Sequence, residues 1–141
     1  MEGELMSGFN HNEFKQFRKN FQGLINDYDN FLNTFLTKEG MRCMGASKRL
    51  APVDTGKLKG AWEVVGPFKR HGNERYVIIR NNTKYASWVE DGHRIVNQYG
   101  DTGKWQPGRH MGRIALTRTQ LQLDKRFEKA FGDFCKGKGL N

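Results

Sequence analysis

Phe14, Phe17, Phe21, Leu24, Tyr28, Phe31 and Phe35 recur at steps of 3, 4, 3, 4, 3 and 4 residues, and Ile25, Leu32 and Leu36 widen the stripe. With 3.6 residues per turn, only a helix gathers such positions on one side. A chain carrying this face must bury it. The spacing also fits a heptad seam between helices or subunits, but the width and aromatic character favour core packing against a sheet. Asn10 or Asn12 stands where an N-cap belongs. Gly40 is expected to kink or break the helix. It resumes through Met41, Met44 and Leu50 and stops by Ala51, because the residue before Pro52 is pushed out of the α region.

Beyond that helix the period changes. Ala51-Pro52-Val53-Asp54-Thr55-Gly56-Lys57-Leu58 reads as a turn: Pro52 fixes φ, Asp54 and Thr55 can accept from nearby backbone N–H groups, and Gly56 allows a positive φ. Trp62, Val64, Gly66 and Phe68 then alternate as one face of a strand, and Tyr76-Val77-Ile78-Ile79 forms a second. The polar stretch from Lys69 to Arg75 joins them as an antiparallel hairpin. Tyr85, Trp88 and Val89 suit a short helix or bent strand ending at Gly92. From Gly92 to Gly112 the chain is polar, holds Gly100, Gly103, Pro107 and Gly108, and shows little period. It reads as a long loop, of the kind that is usually functional or disordered. Leu116, Leu123, Phe127, Ala130, Phe131 and Phe134 mark a C-terminal helical face.

This order predicts an α+β fold: a long N-terminal helix and a C-terminal helix packed on a small antiparallel β-sheet, with a long loop before the last helix. The 141 residues suit one domain, expected over residues 10–135 between a mobile tail at 1–9 and a basic, glycine-rich tail at 136–141. No run approaches the ~18 apolar residues of a membrane span, and the acidic Met1-Glu2-Gly3-Glu4-Leu5 start lacks the order of a secretory signal. A soluble chain, made in a cytoplasm and without a membrane partner, is expected. Cys43 and Cys135 are too few for a disulfide framework and are expected to pack as small hydrophobes.

Charge is uneven. Residues 1–41 carry four basic and six acidic side chains (−2) and residues 42–141 carry twenty and nine (+11), together the net +9. Such a balance suits nucleic acid, an acidic partner or plain solubility. Catalytic signatures are missing. Gly56-Lys57 and Gly103-Lys104 lack the glycine spacing and following Ser/Thr of a phosphate loop, and there is no GxSxG, HExxH or CxxC. Glu90, Asp91, His93 and His110 could do acid–base or metal work, but a charged loop edge with solvated histidines is the commoner meaning. His11 and His71 read as exposed and idle. Arg94, Lys104, Arg109, Arg113 and Arg118, interleaved with Tyr99 and Trp105, could meet phosphates and unpaired bases. They would serve a protein interface equally well.

The turn at Ala51–Leu58, followed by Tyr85-Ala86-Ser87-Trp88-Val89-Glu90-Asp91-Gly92-His93, resembles the small neck or tail-component proteins of long-tailed bacteriophages, in element order over roughly residues 40–130. That family shows an AP-hydrophobic-DTG-x-L turn after an N-terminal helix. A strand pair follows, then YA-x-aromatic-V-E-x-G, a loop with a Pro and a C-terminal helix. His93 stands where the family often has a small residue or Thr. The resemblance implies a structural virion protein that is not an enzyme and uses no cofactor or metal. It would act as a homo-oligomeric ring in the neck, around the genomic DNA in its channel, without sequence-specific binding. Portal and adaptor (head-completion) proteins on one side, and tail terminator or tail tube proteins on the other, would be its partners. It would be assembled in the cytoplasm of the bacterial host. Pro52, Asp54, Thr55, Gly56, Tyr85, Ala86, Glu90 and Gly92 would carry the fold, with Glu90 as a cap or as the partner of an Arg. Trp88, His93, Arg94, Lys104, Trp105, Arg109, His110 and Arg113 would meet a neighbouring subunit or ring. The rival expectation is a nucleic-acid-binding module, with a small metal-dependent nuclease behind it.

Overall fold

The computed structural model describes residues 10–52, 56–72 and 74–140. The expected tail at 1–9, together with Val53, Asp54, Thr55, Asn73 and Asn141, lies outside the described residues. Helix α1 runs His11–Leu50 without a break. Its start is a capping box: the Glu13 N–H donates to Asn10 Oδ1 at 2.9 Å while the Asn10 N–H donates to Glu13 Oε2 at 3.3 Å. It ends where expected, with the Ala51 N–H on the Ser47 carbonyl at 3.0 Å. Then come α2 (Gly56–Gly60), β1 (Trp62–Lys69), β2 (Arg75–Asn81), α3 (Ala86–Asp91), β3 (Gly92–Asn97), β4 (Gly100–Pro107), α4 (Met111–Leu121) and α5 (Leu123–Gly137). The fold is α+β. Among the described residues the strands form two separate antiparallel pairs, β1–β2 and β3–β4, rather than one sheet.

Three expectations about the elements along the chain need correction. The loop placed at 92–112 is largely the hairpin β3–β4, with Arg94 opposite Trp105 and Asn97 opposite Gly100. Gly40 does not break α1. A Cβ there would lie 2.8 Å from Val64 Cγ1 and 3.2 Å from Val77 Cγ2, so glycine lets the helix backbone lie directly on the β1–β2 face. The C-terminal helix is two helices, parted at Gln122.

The chain forms two compact units, Leu36–Leu123 and Met1–Phe35 with Asp124–Asn141. Within the second, the aromatic stripe of α1 meets α5 and not the sheet first expected. Phe31 stacks on Phe134 with ring centroids 4.6 Å apart, Phe35 meets Phe127 edge-on at 5.3 Å, and Tyr28 meets Phe131 edge-on at 6.1 Å. Phe14, Phe17, Phe21 and Ile25, nearer the start of the helix, stay exposed. Residues 136–140, expected as a basic tail, hold the last turn of α5 and its Schellman cap. Leu140 donates to the Cys135 carbonyl and Gly139 to that of Lys136. Lys138 pairs with Asp27.

Candidate functional site

Both motifs of the chain meet in one small core in the unit Leu36–Leu123. Ala51, Leu58 and Met111 are buried there, with Leu50, Trp62, Tyr85, Ala86 and Val89 packed around them. The first turn supplies Ala51 and, through α2, a fully buried Leu58. Asn81 fixes that turn: its Nδ2 donates to the Leu58 carbonyl at 2.7 Å, while its Oδ1 accepts from the Thr83 N–H and hydroxyl. Pro52 is half-buried beside Ala51, and Gly56 is the first residue of α2. Asp54 and Thr55 lie outside the described residues.

Glu90 is the fastener of the site. Its two carboxylate oxygens accept the N–H groups of Gly112 and Arg113 at 2.9 Å each, 22 and 23 residues away. Those are among the N–H groups that no turn of α4 can satisfy, and a carboxylate there also meets the positive end of the helix dipole. Helix α4 has no side-chain cap of its own, since the residue before it, His110, sits in the left-handed region at φ 50°. Of the two roles expected for Glu90, capping is the one it fills. Backbone bonds tighten the same junction: Arg109 donates to the Val89 carbonyl at 2.7 Å and His110 to that of Glu90 at 3.0 Å. Gly92, at φ 89°, runs so close to the returning chain that a Cβ would lie 2.6 Å from the Gln106 carbonyl and 2.8 Å from the Gly108 nitrogen. Only glycine fits both the conformation and the gap.

From this clasp β3–β4 extends as an arm. All eight residues of β4 are exposed. Tyr99, in the tight connection, is 88% exposed and Trp105 57%. Arg94 pairs with Asp101 across the arm at 2.9 Å. Trp88, His93 and Arg94 come together beside Ile95 and Val96 around a recess of about 460 Å³, the Trp88 and His93 rings 6.1 Å apart. Lys104 and Trp105 lie on β4, whereas Arg109 and His110 lie at the root and Arg113 in α4, 3.4 Å from Asp91. The expected contact residues therefore divide between an exposed arm and its root.

Against known proteins, the family model described as "HK97-gp10_like: Bacteriophage HK97-gp10, putative tail-component" matches residues 15–92, more than half of the chain. The chain belongs to the HK97-gp10-like family. That makes it a structural bacteriophage protein, a tail component that works among other virion proteins. No curated protein and no solved structure matches. The family match covers α1 to α3 and stops at Gly92, the first residue of the arm.

In this HK97-gp10-like chain two of the four acid–base candidates are engaged in structure, Glu90 on α4 and Asp91 on Arg113, while the Nδ1 atoms of His93 and His110 are buried without a hydrogen-bond partner among the described residues. Among the described residues, no group of three or more His, Cys, Asp or Glu could hold a metal, and no helix is long and apolar enough to cross a membrane. Burial raises the Cys43 thiol above its usual value, against hydrogen bonds from Thr119 and Ser47 that lower it, while Cys135 is a half-buried free thiol. Sequence reasoning missed a groove of about 580 Å³ lined by Trp62, Val77, Ile79, Ala86, Ser87 and Leu116, with charged residues at its rim. Its lining comes from α1, β1, β2, α3 and α4, so no local spacing announces it.

Proposed function

We propose that this tail component is a neck, or tail-completion, protein. Copies of it form a ring between the portal and adaptor proteins of the head and the terminator or tube proteins of the tail, with the genomic DNA passing through the channel. Its role is to join surfaces, without catalysis. Family membership supports the tail assignment, and the arm carries the finer reading. A two-stranded hairpin with no third strand is marginal in water, and exposed aromatic side chains of this size mark contact surfaces. An arm bearing Val96, Tyr99 and Trp105 in solvent suits a subunit that completes itself against a neighbour. Oligomers that pair head to tail close into rings of this kind.

Electron microscopy of particles from a phage with this gene disabled tests the proposal. Filled heads and free tails that fail to join, and that join when the purified protein is added, are the expected result. Normal, infectious particles would sink it.

A further inference from the structure

We infer that the tip of the β3–β4 arm of one copy seats in the Trp62–Leu116 groove of the next copy, an inference that rests on the ring reading above. Trp62, Val77, Ile79 and Leu116 supply the apolar part of the groove's lining. Its rim charges are satisfied at home. Arg80 pairs with Glu63, Arg113 with Asp91, and Glu90 with the α4 N–H groups. Such a site offers little to a phosphate or an acidic peptide and favours an uncharged, partly aromatic occupant.

The arm tip has that chemistry. Residues 96–100 read Val-Asn-Gln-Tyr-Gly, with no charge among them, and both Val96 and Tyr99 lie in solvent. Trp62, half-buried in that lining, offers an aromatic surface to such an occupant. The arm also leaves from the rim of the groove, since Asp91 lines it and Gly92 begins β3. At ~3.3 Å per residue, a strand of this length holds its tip roughly 20 Å from that root, which sets it to serve another copy. Each chain then offers one arm and one groove, the heterologous arrangement that closes rings.

Mixing two variants of the full chain tests this, with sedimentation velocity and native mass spectrometry as readouts. Tyr99→Ser removes the aromatic tip, and Ser87→Arg fills the groove from an exposed position of α3. Circular dichroism and melting curves matching the wild type are the control that both fold. Each variant alone is expected to stay monomeric at concentrations where the wild-type chain oligomerises, with the contact weakened about 30-fold or more, as for an anchor residue. A 1:1 mixture is expected to give dimers and nothing larger, because one intact arm then meets one intact groove. Variants that assemble like the wild type would overturn the contact and leave the ring to another surface. Monomeric variants whose mixture stays monomeric would overturn it too. A wild-type chain that stays monomeric throughout, or assembles only when duplex DNA is added, would also overturn it. The neck reading would then stand or fall on the particles alone.

Discussion

The two hairpins have similar lengths and the same antiparallel pairing, yet they depend on different things. In β1–β2 one face is covered by the chain itself. Val64 and Val77 lie under α1 so closely that Gly40 has no room for a methyl group. In β3–β4 the whole of β4 is exposed, and only β3 keeps half-buried positions, at His93 and Ile95. The first hairpin is therefore part of the core that makes the chain fold. The second is a surface whose apolar side chains are left for something else. Substitutions in the first should cost stability, and substitutions in the second should cost assembly.

The largest effect is expected at Leu58, fully buried where the two motifs meet. Leu58→Ala should lower unfolding free energy by about 2–5 kcal/mol, read from urea denaturation. Gly40→Ala comes next. Alanine improves helix propensity by ~1 kcal/mol, but overpacking against a stiff β-branched neighbour costs about 1–3 kcal/mol. A net loss is expected, recovered when Val64→Ala is added to the same chain. A neutral or stabilising Gly40→Ala would show that α1 does not rest on this hairpin as closely as described.

The same contrast explains what could be read in advance. The part of the α1 stripe from Tyr28 to Phe35 is legible because burial on one face writes a period into the sequence, whereas Phe68, counted in the β1 alternation, is exposed beyond a register shift between Val65 and Phe68. The arm reads as a loop in the sequence because β4, exposed throughout, has no buried face to demand alternation. The partner of the stripe was misjudged for a related reason. An apolar face announces that it will be covered, but its cover, Phe127, Phe131 and Phe134, lies some hundred residues away, and either a sheet or a helix would satisfy it. Gly40 looked like a helix breaker, whereas its meaning lies in a close approach visible only in three dimensions. Glu90 was singled out by its motif, but the helix that it caps is far along the chain. The groove draws on five elements and has no local signature.

Glu90 and the arm sharpen the comparison at smaller amplitude. Glu90→Ala should cost about 1–2 kcal/mol by uncapping α4, with Glu90→Gln milder because one oxygen still accepts. Loss of the cap should speed hydrogen exchange at the amides of Gly112 and Arg113, which an effect elsewhere would leave unchanged. Trp105→Ser and Tyr99→Ser should change monomer stability by no more than about 0.5 kcal/mol. If either lowers it by as much as Gly40→Ala, the arm is part of the core and the distinction between the hairpins fails.

The smallest effect separates the hairpins by pH. Glu63 and Arg80 face each other across β1–β2. Hydrogen bonds from Asn82 first and from Arg80 second hold the Glu63 carboxyl below its usual 4.5. The folded chain therefore binds that proton less readily than the unfolded chain does. Its contribution to stability is complete above the unfolded value and is lost as pH falls through the lower, folded value. Glu63→Gln removes the group that titrates. The melting temperature of the wild type should exceed that of the variant by a small, constant margin above roughly pH 6, and the margin should close in acid, below the ordinary carboxylate range. Because the pair is exposed, added salt should narrow the margin even at neutral pH. A margin that persists unchanged in acid would mean that Glu63 supports β1–β2 by packing, not by charge.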